Sequence, residues 1–72
     1  MVDADLLPSG PFARLEHLSG RWRRLVARAL ARGFEDALAG APCEPPYRTE
    51  GPREDYRSGF EFGVRTLEEA AP

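Results

Sequence analysis

Between Gly40 and Pro52 the chain reads "GAPCEPPYRTEGP", and no helix can run through this stretch. Pro42, Pro45 and Pro46 have no backbone N–H to give and clash with a preceding helical turn. Each also pushes the residue before it toward extended geometry. Gly40 is suited to end a helix, because the position just past a helix commonly adopts a positive φ. On both sides of this segment the apolar residues recur at helical spacing. The expected fold is therefore all-α: a two-helix hairpin joined by an extended, Pro-rich linker.

Ser9-Gly10-Pro11 marks the first helix start, with Pro11 fitted to the first helical position. From Phe12 to about Ala39, Leu15, Leu18, Trp22, Leu25 and Ala29 form an apolar stripe, which Val26, Leu30, Phe34, Ala37 and Leu38 widen. That is one long helix or two in series, with Ser19-Gly20 as the break. Trp22 falls on the apolar side and is expected in the core. Pro52 is expected to open the second helix, with Glu54 and Asp55 in its positive first turn. Tyr56, Phe60, Gly63, Val64 and Leu67 make its apolar face, and the pattern ends near Glu69. Phe62 lies off that face and is expected to be an exposed anchor for another protein. Residues 1–9 read as a flexible N-terminal tail, and residues 10–72 as one small helical domain.

Small residues interrupt both apolar faces. Gly33, Ala37 and Gly40 lie along one flank of the first helix, and Gly59 and Gly63 along the second. A glycine inside a helix costs ~1 kcal/mol against alanine. Their placement predicts a close backbone approach between antiparallel helices, with Phe34, Tyr56 and Phe60 filling around it.

With 72 residues, the chain buries only ~60% of the surface exposed by its unfolded form. Its core is thin. Cys43 is the only cysteine, so no disulfide closes within the chain, and a reducing cytoplasm is the expected setting. One His and one Cys do not make a zinc site of the usual ligands, and no metal or cofactor is expected. No apolar run approaches the ~18 residues of a membrane span, and no signal-peptide pattern is visible at the start. All ten basic residues are Arg, so lysine chemistry is excluded, as is a P-loop, whose glycine spacing is also missing. Cys43 has no base nearby in sequence, since the only histidine, His17, is far upstream. The pairs Glu54/Asp55 and Glu68/Glu69 read as solvated helix ends. The chain is not expected to be an enzyme.

The net charge of -2 hides an asymmetry: residues 10–33 sum to +5 and residues 34–72 to -5. On a continuous helix, Arg14, His17, Arg21, Arg24, Arg28 and Arg32 would fall within about 80° of one another. Such a stripe could follow a phosphate backbone, since each guanidinium can bind phosphate through two hydrogen bonds.

Three stretches, "RALARGFEDALAG" (Arg28–Gly40), "PPY" (Pro45–Tyr47) and "REDYRSGFEFG" (Arg53–Gly63), resemble the ribosome modulation factor family. The likeness spans about residues 25–67. Its ordered elements are Arg32-Gly33-Phe34, Ala39-Gly40, Cys43, Pro46-Tyr47, Arg53, Tyr56 and Gly59-Phe60. Members of that family are strongly basic; they bind the small ribosomal subunit near the 3′ end of its rRNA and help ribosomes pair into inactive dimers during starvation. The resemblance implies a cytoplasmic, rRNA-binding hibernation factor that regulates translation under stress. It implies phosphate contacts from Arg21, Arg24, Arg28 and Arg32, with Arg53 and Arg57 added from the second helix. It gives Gly33, Phe34, Gly40, Pro46, Tyr47, Tyr56, Gly59 and Phe60 structural roles, with Pro-Tyr as a pin. The alternative is a protein–protein adaptor of the same fold with little RNA affinity, using Phe62, the acidic second helix and the N-terminal extension; the resemblance also implies a minor alternative, a small-molecule phosphotransferase, as proposed for small relatives of the family.

Overall fold

A computed structural model describes residues 10–71; the expected tail, residues 1–9, lies outside the described residues. The chain forms a 3-10 helix, Gly10–His17, followed by α1, Gly20–Leu38, and α2, Glu50–Ala70. No strand occurs among the described residues. The two long helices pack against each other and are joined by the extended segment 39–49.

The first helical stretch does break where Ser19-Gly20 suggested. Ser19 is extended (φ -66°, ψ 160°), and its carbonyl accepts the first α1 hydrogen bond from Arg23 N–H at 2.7 Å. What precedes it is an eight-residue 3-10 helix, long for a geometry that rarely exceeds three or four residues. Tertiary contacts hold it. Phe12 packs on Phe34 and Phe62, with ring centroids 5.9 Å from each. Arg14 Nη1 reaches Asp55 Oδ1 at 3.1 Å. Arg23 donates to the Leu15 and Leu18 carbonyls at 2.9 and 3.1 Å, which satisfies acceptors that a helix end leaves open.

α1 stops as Gly40 predicts. Gly40 has φ +76°. Its N–H donates to the Ala37 carbonyl and the Ala41 N–H to the Asp36 carbonyl, the paired closure of a Schellman motif. α2 starts two residues earlier than expected, after Thr49, so Glu50 and not Glu54 or Asp55 occupies the first turn. Pro52 is compatible with this because the first-turn N–H groups have no helical acceptor to lose.

The seam between the helices is built from small residues. Val26, Ala29, Leu30, Gly33 and Ala37 of α1 are buried against Asp55, Tyr56, Gly59 and Gly63 of α2. A Cβ on Gly33 would collide with the Tyr56 carbonyl, and one on Gly59 with the Leu30 carbonyl. One on Gly63 would come within 2.6 Å of the Ala37 Cβ. The order of contacts corrects the antiparallel expectation. Trp22 and Leu25 share a groove with Gly51 and Pro52, Leu30 meets Gly59, and Ala37 meets Gly63. The helices therefore run in the same direction. The eleven residues of the linker allow it: extended, they span up to ~36 Å, more than the ~28 Å length of α1.

A seam this narrow pushes larger side chains to its rims. Trp22 is 61% exposed, and Leu25, Leu38, Val64 and Leu67 are also exposed, against the expectation that they fill the core. Phe62 moves the other way. It is half-buried against Phe12 and Phe34, 5.6 Å from the latter ring, because the 3-10 helix folds back across α2.

The glycine seam makes a stability prediction. Gly33→Ala and Gly59→Ala should each lower stability by roughly 1–3 kcal/mol through overpacking. Gly20→Ala, with nothing within 4 Å of its Cβ, should be neutral or stabilising by up to ~1 kcal/mol. Urea denaturation followed by circular dichroism measures all three; equal effects would show that the close approach is not what selects glycine.

Candidate nucleic-acid interface

The ten arginines divide evenly: five have internal partners, and Arg21, Arg24, Arg28, Arg48 of the linker and Arg65 of α2 have none among the described residues. Arg14 is paired with Asp55, and Arg23 caps the 3-10 helix. This breaks the six-member stripe: Arg14 and the exposed His17 lie before the bend at Ser19, and Arg14 turns inward to the buried Asp55. A buried carboxylate needs a cation, and the pair forms there.

Arg32 lies one turn from Asp36, its Nε 3.3 Å from both carboxylate oxygens. Asp36 also accepts a 2.5 Å hydrogen bond from the Tyr56 hydroxyl. Arg53 is half-buried, and its Nη1 donates to the Tyr47 carbonyl at 3.4 Å. Arg57 pairs loosely with Glu50 at 3.6 Å. Arg32, Arg53 and Arg57, all phosphate candidates at first sight, thus have internal partners.

Arg21, Arg24 and Arg28 do not. They are exposed, and among the described residues no hydrogen bond or ion pair engages them. They sit at three- and four-residue spacing, which places neighbours about 5–6 Å apart, on the exposed side of α1. Arg21 and Arg24 also lie at the N-terminal end of α1, whose first turn contains no acid. That is the positive end of the helix dipole, where cations are unfavourable and anions favourable. Because the helices run in the same direction, the N-terminal end of α2 lies on the same side.

Beside this row is a groove of about 310 Å³ between the two helix starts. Trp22, Leu25 and Val26 of α1, Tyr47 of the linker and Pro52 of α2 line it, with Arg28 at its edge. Sequence reasoning assigned Trp22 to the core and missed this groove. Its apolar periodicity is the same in either place.

Of the residues given structural roles, Gly33, Tyr47 and Phe60 meet Tyr56, which is fully buried, whereas Phe34 packs on Phe12 and Phe62 and Gly40 ends α1. The Tyr56 ring stacks on Phe60 at 6.2 Å and meets Tyr47 edge-on at 6.4 Å. Tyr47 therefore fastens the linker to α2 through its ring and, through Arg53, its carbonyl. Pro46 is exposed beside it, and so is the thiol of Cys43. No helix of the described residues is long and apolar enough to cross a membrane.

No family model matches this chain, and no curated protein or solved structure matches it.

Burial, together with the hydrogen bond and negative charge of Asp36, pushes the Tyr56 phenol up to about 12, against ~10 when unfolded. The unfolded chain therefore loses this proton first as pH rises. The associated stability is complete below pH ~10 and disappears between pH ~10 and ~12. Tyr56→Phe should cost roughly 1.5–3 kcal/mol at neutral pH, the range for a hydrogen bond to a charged group, and should flatten the alkaline loss. Urea midpoints across this pH range are the check; the same alkaline slope in both proteins would refute it.

Proposed function

We propose that this chain is an RNA-binding protein that holds phosphates with Arg21, Arg24 and Arg28 and acts on the small ribosomal subunit. The observation that carries RNA binding is the unpaired, exposed state of these three arginines in one row on α1, with Arg21 and Arg24 toward its positive end, where cations cost helix stability. An anionic partner turns that cost into attraction. The ribosomal target rests on the resemblance to the ribosome modulation factor family. Occupancy of the subunit silences translation and favours inactive dimers, with no reaction catalysed and a cytoplasmic site of action.

A protein–protein adaptor is the second reading, favoured by Val64 and Leu67, which stand exposed on α2 beside half-buried Phe60. The packed Phe62 is not part of such a surface.

Co-sedimentation with ribosomal subunits separates the two. Three neutralised phosphates predict a loss of roughly 20- to 40-fold in affinity between ~50 and ~200 mM salt. Arg24→Glu combined with Arg28→Glu should abolish binding while circular dichroism shows the same helix content. Binding that survives both the double reversal and the salt change would overturn the phosphate reading and favour the adaptor.

A further inference from the structure

The groove next to the arginine row contains the chain's only tryptophan, and that tryptophan is uncovered. We propose that this groove seats one unpaired base of a single-stranded RNA, stacked on Trp22, while Arg28, Arg24 and Arg21 follow the adjoining phosphates. The inference rests on the RNA-binding reading and specifies its ligand as single-stranded.

Three observations converge on it. First, an indole usually dominates burial in a small protein, yet Trp22 is 61% exposed and Leu25 beside it 49% exposed. The chain has an apolar seam available and leaves these two out of it. Second, the groove of about 310 Å³ is at the small end of ligand sites, which run roughly 300–1,000 Å³. Its walls are aromatic and aliphatic: Trp22, Tyr47, Leu25 and Pro52. Such walls suit a flat ring system with apolar faces. Third, the charge beside the groove has one free sign. Asp55, at the back, is held by Arg14 at 3.1 Å, whereas Arg28 on the edge has no partner among the described residues. Around α1 the order is Arg24, Arg28, Arg21, Leu25, Trp22, so the cationic row passes directly into the apolar one.

This pairing of stacking surface and cationic track is what single strands require. A duplex cannot use the groove, because its bases are stacked inside the helix and only unpaired ones splay out onto an aromatic side chain. It can use only the arginines. An apolar peptide would fit the walls, but the free arginines beside them add nothing to its binding unless it is acidic.

Since Trp22 is the only tryptophan, its fluorescence reports this groove alone. The full chain is titrated with a short single-stranded RNA of mixed sequence, the same RNA annealed to its complement, inorganic polyphosphate, and an acidic leucine-rich peptide. Binding is followed in parallel by competition against a labelled RNA. The single strand is expected to quench Trp22, whereas the duplex and polyphosphate bind at low salt without quenching. Trp22→Ala should weaken single-strand binding by roughly 5- to 150-fold, the effect of losing one stacked base, with an unchanged salt dependence; Trp22→Phe should retain most of it. Circular dichroism controls for folding, and the exposed position of Trp22 makes both variants compatible with it. If Trp22→Ala binds the single strand as the wild type does, with no quenching, the base-stacking proposal fails and the RNA-binding reading stands. If no polyanion binds at low salt, both fail. Quenching by the peptide alone would assign the groove to a protein partner and overturn the proposal.

Discussion

The close contact of α1 with α2 at Gly33, Gly59 and Gly63 determines where nearly everything else in this molecule can be. Backbone meets backbone there, with no room for a Cβ at Gly33 or Gly59. Two helices held this close gain many small dispersion contacts but cover only a narrow strip of each other. Tyr56 is the one large side chain enclosed completely on α2, and Leu30 its counterpart on α1. The remaining apolar residues have to be covered by something else. The 3-10 helix does this on one flank, through Phe12, and the linker on the other, through Tyr47. Where neither reaches, at Trp22, Leu25, Val64 and Leu67, apolar surface faces solvent.

The same economy explains the arginines. A two-helix chain has few ways to satisfy polar groups at its ends and bends, and it uses guanidinium for several. Arg23 closes the 3-10 helix, Arg14 neutralises a buried aspartate, and Arg53 ties the linker carbonyl at Tyr47. Arg32 shares Asp36 with the hydroxyl of Tyr56. With the loose Arg57–Glu50 pair, these uses engage three of the six arginines first expected to hold phosphate. Arg21, Arg24 and Arg28 have no structural task among the described residues, and Arg21, in the first turn of α1, opposes the helix dipole.

Features that depend on a few neighbouring residues were legible in the sequence. The proline-rich linker, the left-handed Gly40 and the bend at Ser19 follow from local backbone rules, and the glycines announced the close approach. Features that depend on how far a segment travels were not. The direction of α2 relative to α1 is a property of linker length against helix length, and no periodicity records it. The burial of Phe62 depends on a 3-10 helix folding back across α2, which the apolar spacing read as a continuation of α1. Trp22 shows the limit most plainly. Helical spacing identifies which side of a helix is apolar, but not how wide a strip the partner helix covers.

The net charge of -2 bears less on Arg21, Arg24 and Arg28 than it first suggests, because most of the exposed acids lie on α2. Arg21, Arg24 and Arg28 project from the face of α1 opposite the seam. Glu54, Glu61 and Glu68 are exposed and recur at helical spacing on the face of α2 opposite the same seam. Each helix with its side chains is ~10–12 Å across, so the two sets stand roughly 15–20 Å apart. At physiological salt the screening length is ~8 Å, and an anion approaching the arginines is little affected by the glutamates. The arginine row begins at the α1 N-terminus, whose first turn contains no acid. Lowering the salt lengthens the screening distance and brings the acidic face back into play. The chain total describes its behaviour far from the surface, and the arrangement on α1 describes the field close to those arginines.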